Sequence, residues 1–285
     1  MDQQSFRPGG WRILPPVIKN LLIINAIFFL ATITFESSFR INLTDMLGLH
    51  YFAAEKFQPY QLLTHMFMHG GFAHILFNMF ALWMLGRVLE NVWGPRKFLF
   101  YYIFTGLGAA LTHYVVFYFQ MAPTLEALNF FLDNPDMQSL NAFVSQHTFQ
   151  LNQYSGEIYQ QFMEFKSSYQ TLRTNPGDLT AMQNAIDFLT NYKVYYLNLP
   201  NVIGASGAVF GVLLAFGMLF PNAVLYIYFA IPMKAKYFVI ILGAIELYSG
   251  FVDTGSNIAH FAHLGGMIFG FILLKYWQVK HKSLY

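Results

Sequence analysis

The chain contains no cysteine among its 285 residues, which excludes disulfide bonds, thiolate metal sites and cysteine nucleophiles. Charged residues make up only 11% of the sequence, whereas ordinary soluble domains carry about 25%. The zinc-hydrolase motif His-Glu-x-x-His and the aspartyl-hydrolase motif Gly-x-Gly-Asp are also absent. These absences argue against a soluble domain and against several hydrolytic chemistries.

Long apolar runs are what the sequence has instead, and hydrophobic residues make up 56% of it. A helix needs roughly 20 mostly apolar residues to cross the hydrocarbon core of a membrane. Six runs approach that length and predict an all-α polytopic membrane protein with six transmembrane helices. These runs are residues 18–35, 61–85, 98–120, 204–220, 236–252 and 257–277.

Positive charges are concentrated between alternate spans. Eleven of the 16 Lys and Arg residues fall on one side of a six-span arrangement. They are Arg7, Arg12, Lys19, Arg87, Arg96, Lys97, Lys234, Lys236, Lys275, Lys280 and Lys282. The positive-inside rule makes that side cytoplasmic, so residues 1–17 and 279–285 are predicted to be cytoplasmic tails.

Residues 122–199 form a polar insert between the third and fourth spans, rich in Asn, Gln and Ser. Between residues 121 and 200, seven acidic side chains outweigh three basic ones, which gives a net charge of −4. Apolar residues recur at three- and four-residue steps over 151–172 and 179–189, a pattern typical of amphipathic helices. We therefore predict an extracytoplasmic helical insert. It is interpreted as a bulky loop, as a cover over a site, or as a segment on the membrane surface.

A serine and a histidine stand near the outer ends of two late spans. Ser206 lies in Gly-Ala-Ser-Gly at 204–207, and His263 lies in Ala-His-Leu-Gly-Gly at 262–266. Glycine lets membrane helices approach closely, and imidazole is suited to accept a hydroxyl proton near neutral pH. Each residue alone is more often a packed, hydrogen-bonded group. At similar depth, with no acid near them on either helix, they favour a Ser-His dyad over a triad.

The second span contributes a third polar element. His74 and Asn78 are four residues apart, so they share one face of a helix. Both side chains can donate hydrogen bonds, and acyl transfer needs donors directed at the oxyanion. The alternative is a polar contact between two helices. The coincidence of the three elements at one depth favours catalysis.

Three motifs occur in order on three spans: His-Ile-Leu-Phe-Asn at 74–78, the serine motif at 204–207 and the histidine motif at 262–266. Together they resemble the rhomboid family of intramembrane serine proteases. Supporting matches are Thr64-His65, His69 and Gly86-x-x-x-Glu90-x-x-x-Gly94. The resemblance implies that residues 18–121 and 200–278 form a rhomboid-like six-helix membrane domain, with a cavity that opens outward.

The resemblance also implies roles for individual residues. Ser206 would be the nucleophile and His263 the general base and then the general acid. His74, Asn78 and the Ser206 backbone N–H would hold the oxyanion. The substrates would be transmembrane segments of membrane proteins, cut near their outer ends after a small residue. No metal, organic cofactor or nucleic acid is expected. The expected partners are the transmembrane substrates and the lipid bilayer. The oligomeric state is left open.

Several residues support or adjoin this predicted site. Phe210 stands one turn after Ser206, where many family members have Tyr, and its ring is expected to stack on His263. Gly204 and Gly207 flank the serine and are interpreted as close-packing positions. His260 lies one turn before His263 and either modulates the base or packs. Glu246, late in the fifth span, is either a buried acid or one that reaches the interface.

Two other functions compete with the protease. One is a non-catalytic rhomboid-like chaperone that binds membrane helices, but such a protein would not need this set of polar residues. The other is a metal-binding or transporting bundle that uses the histidines. It is disfavoured because zinc sites usually add Cys or a carboxylate, and neither is expected near the histidines. The expected location is the bacterial inner membrane, with both termini cytoplasmic.

Overall fold

Helices make up most of the chain in the computed structural model, which describes residues 11–227, 230–252 and 257–282. Their bounds are α1 Pro16–Phe39, α2 Leu43–Leu47, α3 Gln61–Thr64, α4 Phe72–Ala81, α5 Arg87–Trp93, α6 Pro95–Asp133, α7 Met137–Gln146, α8 Glu157–Thr174, α9 Leu179–Asn198, α10 Ser206–Leu219, α11 Ala235–Val252 and α12 Asn257–Lys282. Four short strands accompany them: β1 Leu49–His50, β2 Asn201–Val202, β3 Val224–Ile227 and β4 Ile231–Lys234. The chain is therefore mostly helical rather than strictly all-α.

The chain divides into two compact units. The first comprises the described parts of Met1–Leu49, Gln58–Tyr114 and Val202–Tyr285, and the second comprises His50–Phe57 and Val115–Asn201. The first unit holds every residue that the sequence analysis assigns to the site. Its core packs apolar side chains of α1, α5, α6, α10, α11 and α12.

Among the residues that the structure describes, four helical segments are long and apolar enough to cross a membrane: Pro16–Phe39, Phe72–Trp93, Pro95–Asp133 and Ala235–Val252. Helix α10 is apolar but shorter, with 14 residues. The chain is thus an integral membrane protein with at least these candidate spans. The number of six spans stays a prediction.

The prediction of one continuous helix over residues 61–85 is wrong. Helix α3 passes into a 3₁₀ turn at His65–Phe67, and a new helix starts only at Phe72. Gly70 and Gly71 fall in the interruption, and glycine disfavours a helix interior because ordering it costs the most backbone entropy. Beyond α4 a π-helical segment, Leu82–Gly86, leads directly into α5. His65 and His69 therefore do not share a helix with His74.

Helix α1 begins at a proline and is capped by a distant acid. Pro16 occupies the first turn, where its missing N–H costs nothing. The buried Glu90 carboxylate on α5 accepts hydrogen bonds from the backbone N–H groups of Val17 and Ile18, at 2.9 and 2.8 Å. Two of the free donors at the start of α1 are thereby satisfied.

Replacing Glu90 by glutamine should destabilise the first unit. The amide cannot accept both hydrogen bonds with a full charge, and charged hydrogen bonds contribute about 1.5–3 kcal/mol each. Thermal unfolding of the full chain in detergent measures the loss. Glu36→Gln, at an exposed position late in α1, is the control, with an expected change within about 0.5 kcal/mol. Equal unfolding midpoints for both variants would refute the capping role.

Helices α10 and α12 approach each other through glycine. A side chain on Gly266 would meet the backbone carbonyl of Gly207, and one on Gly207 would meet Ala109 of α6. Tyr101 of α6 donates a hydrogen bond to the Gly211 carbonyl at 2.9 Å. These contacts hold α10 between α6 and α12, and they leave no room for a methyl group at Gly207 or Gly266.

The second unit has its own aromatic core. The predicted helices over 151–172 and 179–189 correspond to α8 and α9, and α7 adds a third that the sequence analysis did not predict. Phe165 and Phe188 stack across α8 and α9 with ring centroids 4.6 Å apart. His147 contacts the Tyr192 hydroxyl at 2.7 Å, and burial lowers the pKa of His147. This core shows that the insert is a folded unit rather than a loose loop.

Candidate active site

Ser206 is the first residue of α10 and is half-buried. The N–H groups of a first helical turn have no partner within the helix, and together they present a partial positive charge. A cavity of about 50 Å³ adjoins this helix start. Its lining includes Ser206, Gly204, His65 and Ala262. A hydroxyl, free backbone donors and a small opening therefore meet at one place.

His263 lies against the same helix, one turn further on. Its ring stacks on Phe210 with centroids 4.2 Å apart and planes 4° from parallel. A side chain on Gly207, the residue after Ser206, would lie 3.6 Å from the Ala262 carbonyl. The structure thus brings the serine motif and the histidine motif together, and the stacking expected from the sequence is present.

His74 sits beside the serine. The Gly70 N–H donates to its Nδ1 at 3.3 Å, so the proton of the neutral ring is on Nε2. That Nε2 lies 2.9 Å from the position of a Gly204 side chain, and Ser206 Oγ lies 3.5 Å from the same point. The His74 ring and the serine hydroxyl therefore both lie beside Gly204.

Asn78 follows His74 by one turn and is buried. One N–H of its amide donates to the His74 carbonyl at 2.9 Å. The amide group has two such donors, so the second is left for another acceptor. Both residues belong to α4, which packs against α10.

Gly204 has a backbone conformation that only glycine adopts readily. Its φ is +123°, and a Cβ there would lie 2.9 Å from the His74 ring. Its N–H donates to the His65 carbonyl at 2.9 Å, which ties the approach to α10 to the 3₁₀ turn. Gly204 therefore sets the position of Ser206 relative to His74.

Gly204→Ala is expected to lower the free energy of unfolding by roughly 1–3 kcal/mol, because alanine rarely adopts a φ of +123° and its methyl group would meet the His74 ring. The measurement is the thermal unfolding midpoint of the full chain in detergent. Gly71→Ala is the control, since no atom lies within 4 Å of a side chain at that position. A midpoint for Gly204→Ala that is no lower than that of Gly71→Ala would contradict this role of Gly204.

Glu246 of α11 is a site neighbour that the sequence analysis did not assign. Its side chain is buried, and Oε2 lies 3.0 Å from His263 Nδ1 and 2.6 Å from His260 Nδ1. The acid comes from a third helix, so a search of the serine and histidine helices misses it. No pattern in the sequence specifies this contact, because it depends on how α11 packs on α12.

These three side chains also bear on metal binding. The ligand atoms of Glu246, His260 and His263 lie within 4.8 Å of one another, and two imidazoles with a carboxylate suit several divalent cations. The reason given above against a metal, that no carboxylate is near, is therefore wrong. His65 and His69 are not members of this group.

Comparisons with known proteins agree with the motifs. The family model of the rhomboid domain matches residues 56–124 and 178–278. The chain is 36% identical over 56 residues to rhomboid protease GluP of Bacillus subtilis, which is 20% of this chain and 11% of that protein. It is 38% identical over 60 residues to rhomboid protease GlpG of Salmonella newport, 21% of each chain.

A longer match is to the mitochondrial RHOMBOID-like protein 12 of Arabidopsis thaliana, 27% identical over 250 residues. It covers 88% of this chain and 55% of that protein. The chain thus spans less than two thirds of each of these relatives. The family model extends over more than half of the chain and takes in the motifs at 74–78, 204–207 and 262–266. The chain therefore belongs to the rhomboid family.

Proposed function

We propose that the chain is an intramembrane serine endopeptidase that cleaves transmembrane segments of membrane proteins. The observation that carries this proposal is the packing of the Ser206 end of α10 against the His263 segment of α12, with Phe210 stacked on the imidazole. Two relatives bear the name rhomboid protease, which supports the same reaction.

In the proposed reaction, Ser206 Oγ attacks the carbonyl carbon of the scissile peptide while His263 takes the hydroxyl proton. The negative oxygen accepts hydrogen bonds from His74 Nε2–H, the free Asn78 N–H and the Ser206 backbone N–H. One such donor is worth about 2.7–4 kcal/mol in a serine protease. His263 then gives the proton to the leaving amine. Water next attacks the acyl-enzyme while His263 takes its proton, and His263 returns that proton to Ser206 Oγ as the carboxylic acid product leaves.

The proposed substrates reach this site from the lipid. A transmembrane helix has all its backbone groups paired, so its peptide bonds become accessible only where the helix unwinds. Small or helix-breaking residues near the outer end of the substrate favour that unwinding. The proposed orientation has both termini in the cytoplasm, and the proposed location is the bacterial inner membrane.

Reconstitution tests the proposal directly. The full chain in liposomes is mixed with a fluorescent transmembrane substrate, and product is followed by gel and mass spectrometry. We expect one major cut near one end of the substrate span, and labelling of the chain by a fluorophosphonate at Ser206. Binding of the substrate without cutting or labelling would favour the alternative, a non-catalytic rhomboid-like chaperone that binds helices.

A further inference from the structure

We propose that Glu246 is a positioning residue that turns the Ser206–His263 pair into a Ser-His-Glu triad, with His260 holding the carboxylate in place. This inference rests on the proposed protease function. It departs from the dyad that the sequence favours, and it concerns an acid on a helix that bears neither of the two reacting groups.

The contact with His263 fixes which ring nitrogen is free. A carboxylate oxygen can only accept, so His263 Nδ1 carries the proton in the 3.0 Å contact with Glu246 Oε2. Nε2 of the neutral ring then has the lone pair that a general base needs. Phe210 holds the face of the same ring at 4.2 Å. The imidazole is therefore fixed at one edge and on one face, and its remaining nitrogen is left for the serine.

His260 holds the Glu246 carboxylate in place through a second contact. Its Nδ1 lies 2.6 Å from the same Oε2, so one oxygen accepts from two imidazoles. The Glu246 side chain is only 10% exposed, and a carboxylate this far from water needs hydrogen-bond donors to stay charged. His260 supplies a donor that remains when His263 moves or changes protonation. Its role is to hold Glu246 and not to contact the substrate.

Charge gives Glu246 its effect on rate. In the attack step the proton leaves Ser206 Oγ and arrives at His263 Nε2, so the ring becomes a cation and the substrate oxygen an anion. Glu246 stays ionised and stabilises the ring cation through the Nδ1 hydrogen bond. The proton later goes to the leaving amine, and the cluster returns to its starting charge. A neutral amide in place of the carboxylate cannot provide that stabilisation.

The test compares Glu246→Gln with the native full chain in liposomes. Glutamine has nearly the same shape, so a packing role predicts an unchanged rate, whereas the triad predicts a lower kcat with KM unchanged. We expect kcat and the fluorophosphonate labelling rate to fall together by at least about tenfold. The upper bound is the roughly 10⁴-fold that amidation of a triad aspartate costs. Glu246→Asp, which keeps the charge but withdraws it from His263, is expected to lower kcat as well.

Controls separate the outcomes. Thermal unfolding checks that the variants fold, and Glu36→Gln controls for loss of one negative charge. Native kcat and labelling in both Glu246 variants would overturn the triad while leaving the protease in place. A native chain that neither cleaves nor labels would reject the protease and the triad together. Loss of native cleavage on treatment with EDTA would also overturn the inference, since it would assign the three groups to a metal ion.

Discussion

Ser206→Ala, His263→Ala and the double variant are each expected to lose at least about 10⁴-fold in kcat, with the double variant no slower than either single one. The hydroxyl and the imidazole act in one step, so removing the second group from an already broken pair changes nothing further. The packing of Phe210 on His263 and of Gly207 against the Ala262 segment puts both groups in one small region.

Rates from single-turnover cleavage in liposomes measure this non-additivity. Substrate binding, followed by fluorescence, should stay near native in all three variants because neither group is needed to hold a helix. A double variant that is slower than either single one by the product of their effects would show that the residues act independently. That result would remove the catalytic pair while leaving the family assignment intact.

Gly266→Ala is expected to lower cleavage by about 100-fold or more, the cost of roughly 1 Å of misplacement in a catalytic site. The added methyl group would meet the carbonyl of Gly207 on the facing helix. Backbone cannot rotate away as a side chain can, so α12 must move from α10 and carry His263 with it. The thermal unfolding midpoint is expected to fall as well, because overpacking typically costs about 1–3 kcal/mol.

Gly243→Ala is the matched control for this prediction. It also adds a methyl group to a helix of the same bundle, but its nearest neighbour is the flexible end of Met267 at 3.3 Å. We expect it to cleave at close to the native rate. Native cleavage by Gly266→Ala would mean that the two helices separate without cost to the site.

The sequence predicts most helices well because apolar runs of membrane length are a strong signal. Helices α1, α10 and α11 begin and end within a few residues of the predicted bounds, and α8 and α9 follow the apolar repeat. Helix α6 continues 13 residues beyond the predicted end at 120, because the amphipathic residues that follow bury Leu128 and Phe131 in the second unit. Hydropathy measures affinity for lipid, and it does not register burial in the core of a folded unit.

The site is harder to predict where it depends on contacts between helices. His74 and Asn78 share a helix face, which spacing alone predicts. The interruption before Phe72, which separates His65 and His69 from them, arises from two glycines inside an apolar run and leaves hydropathy almost unchanged. The position of Glu246 depends on how α11 packs on α12, so no local pattern specifies its contact with His263.

The Glu90 carboxylate that caps α1 also has a consequence for biosynthesis. The N–H groups of Val17 and Ile18 leave the ribosome about seventy residues before the acid that binds them. The first helix is therefore synthesised before the acid that caps its amino end. The cap forms only after the end of the Phe72–Trp93 segment, which carries Glu90, has been translated.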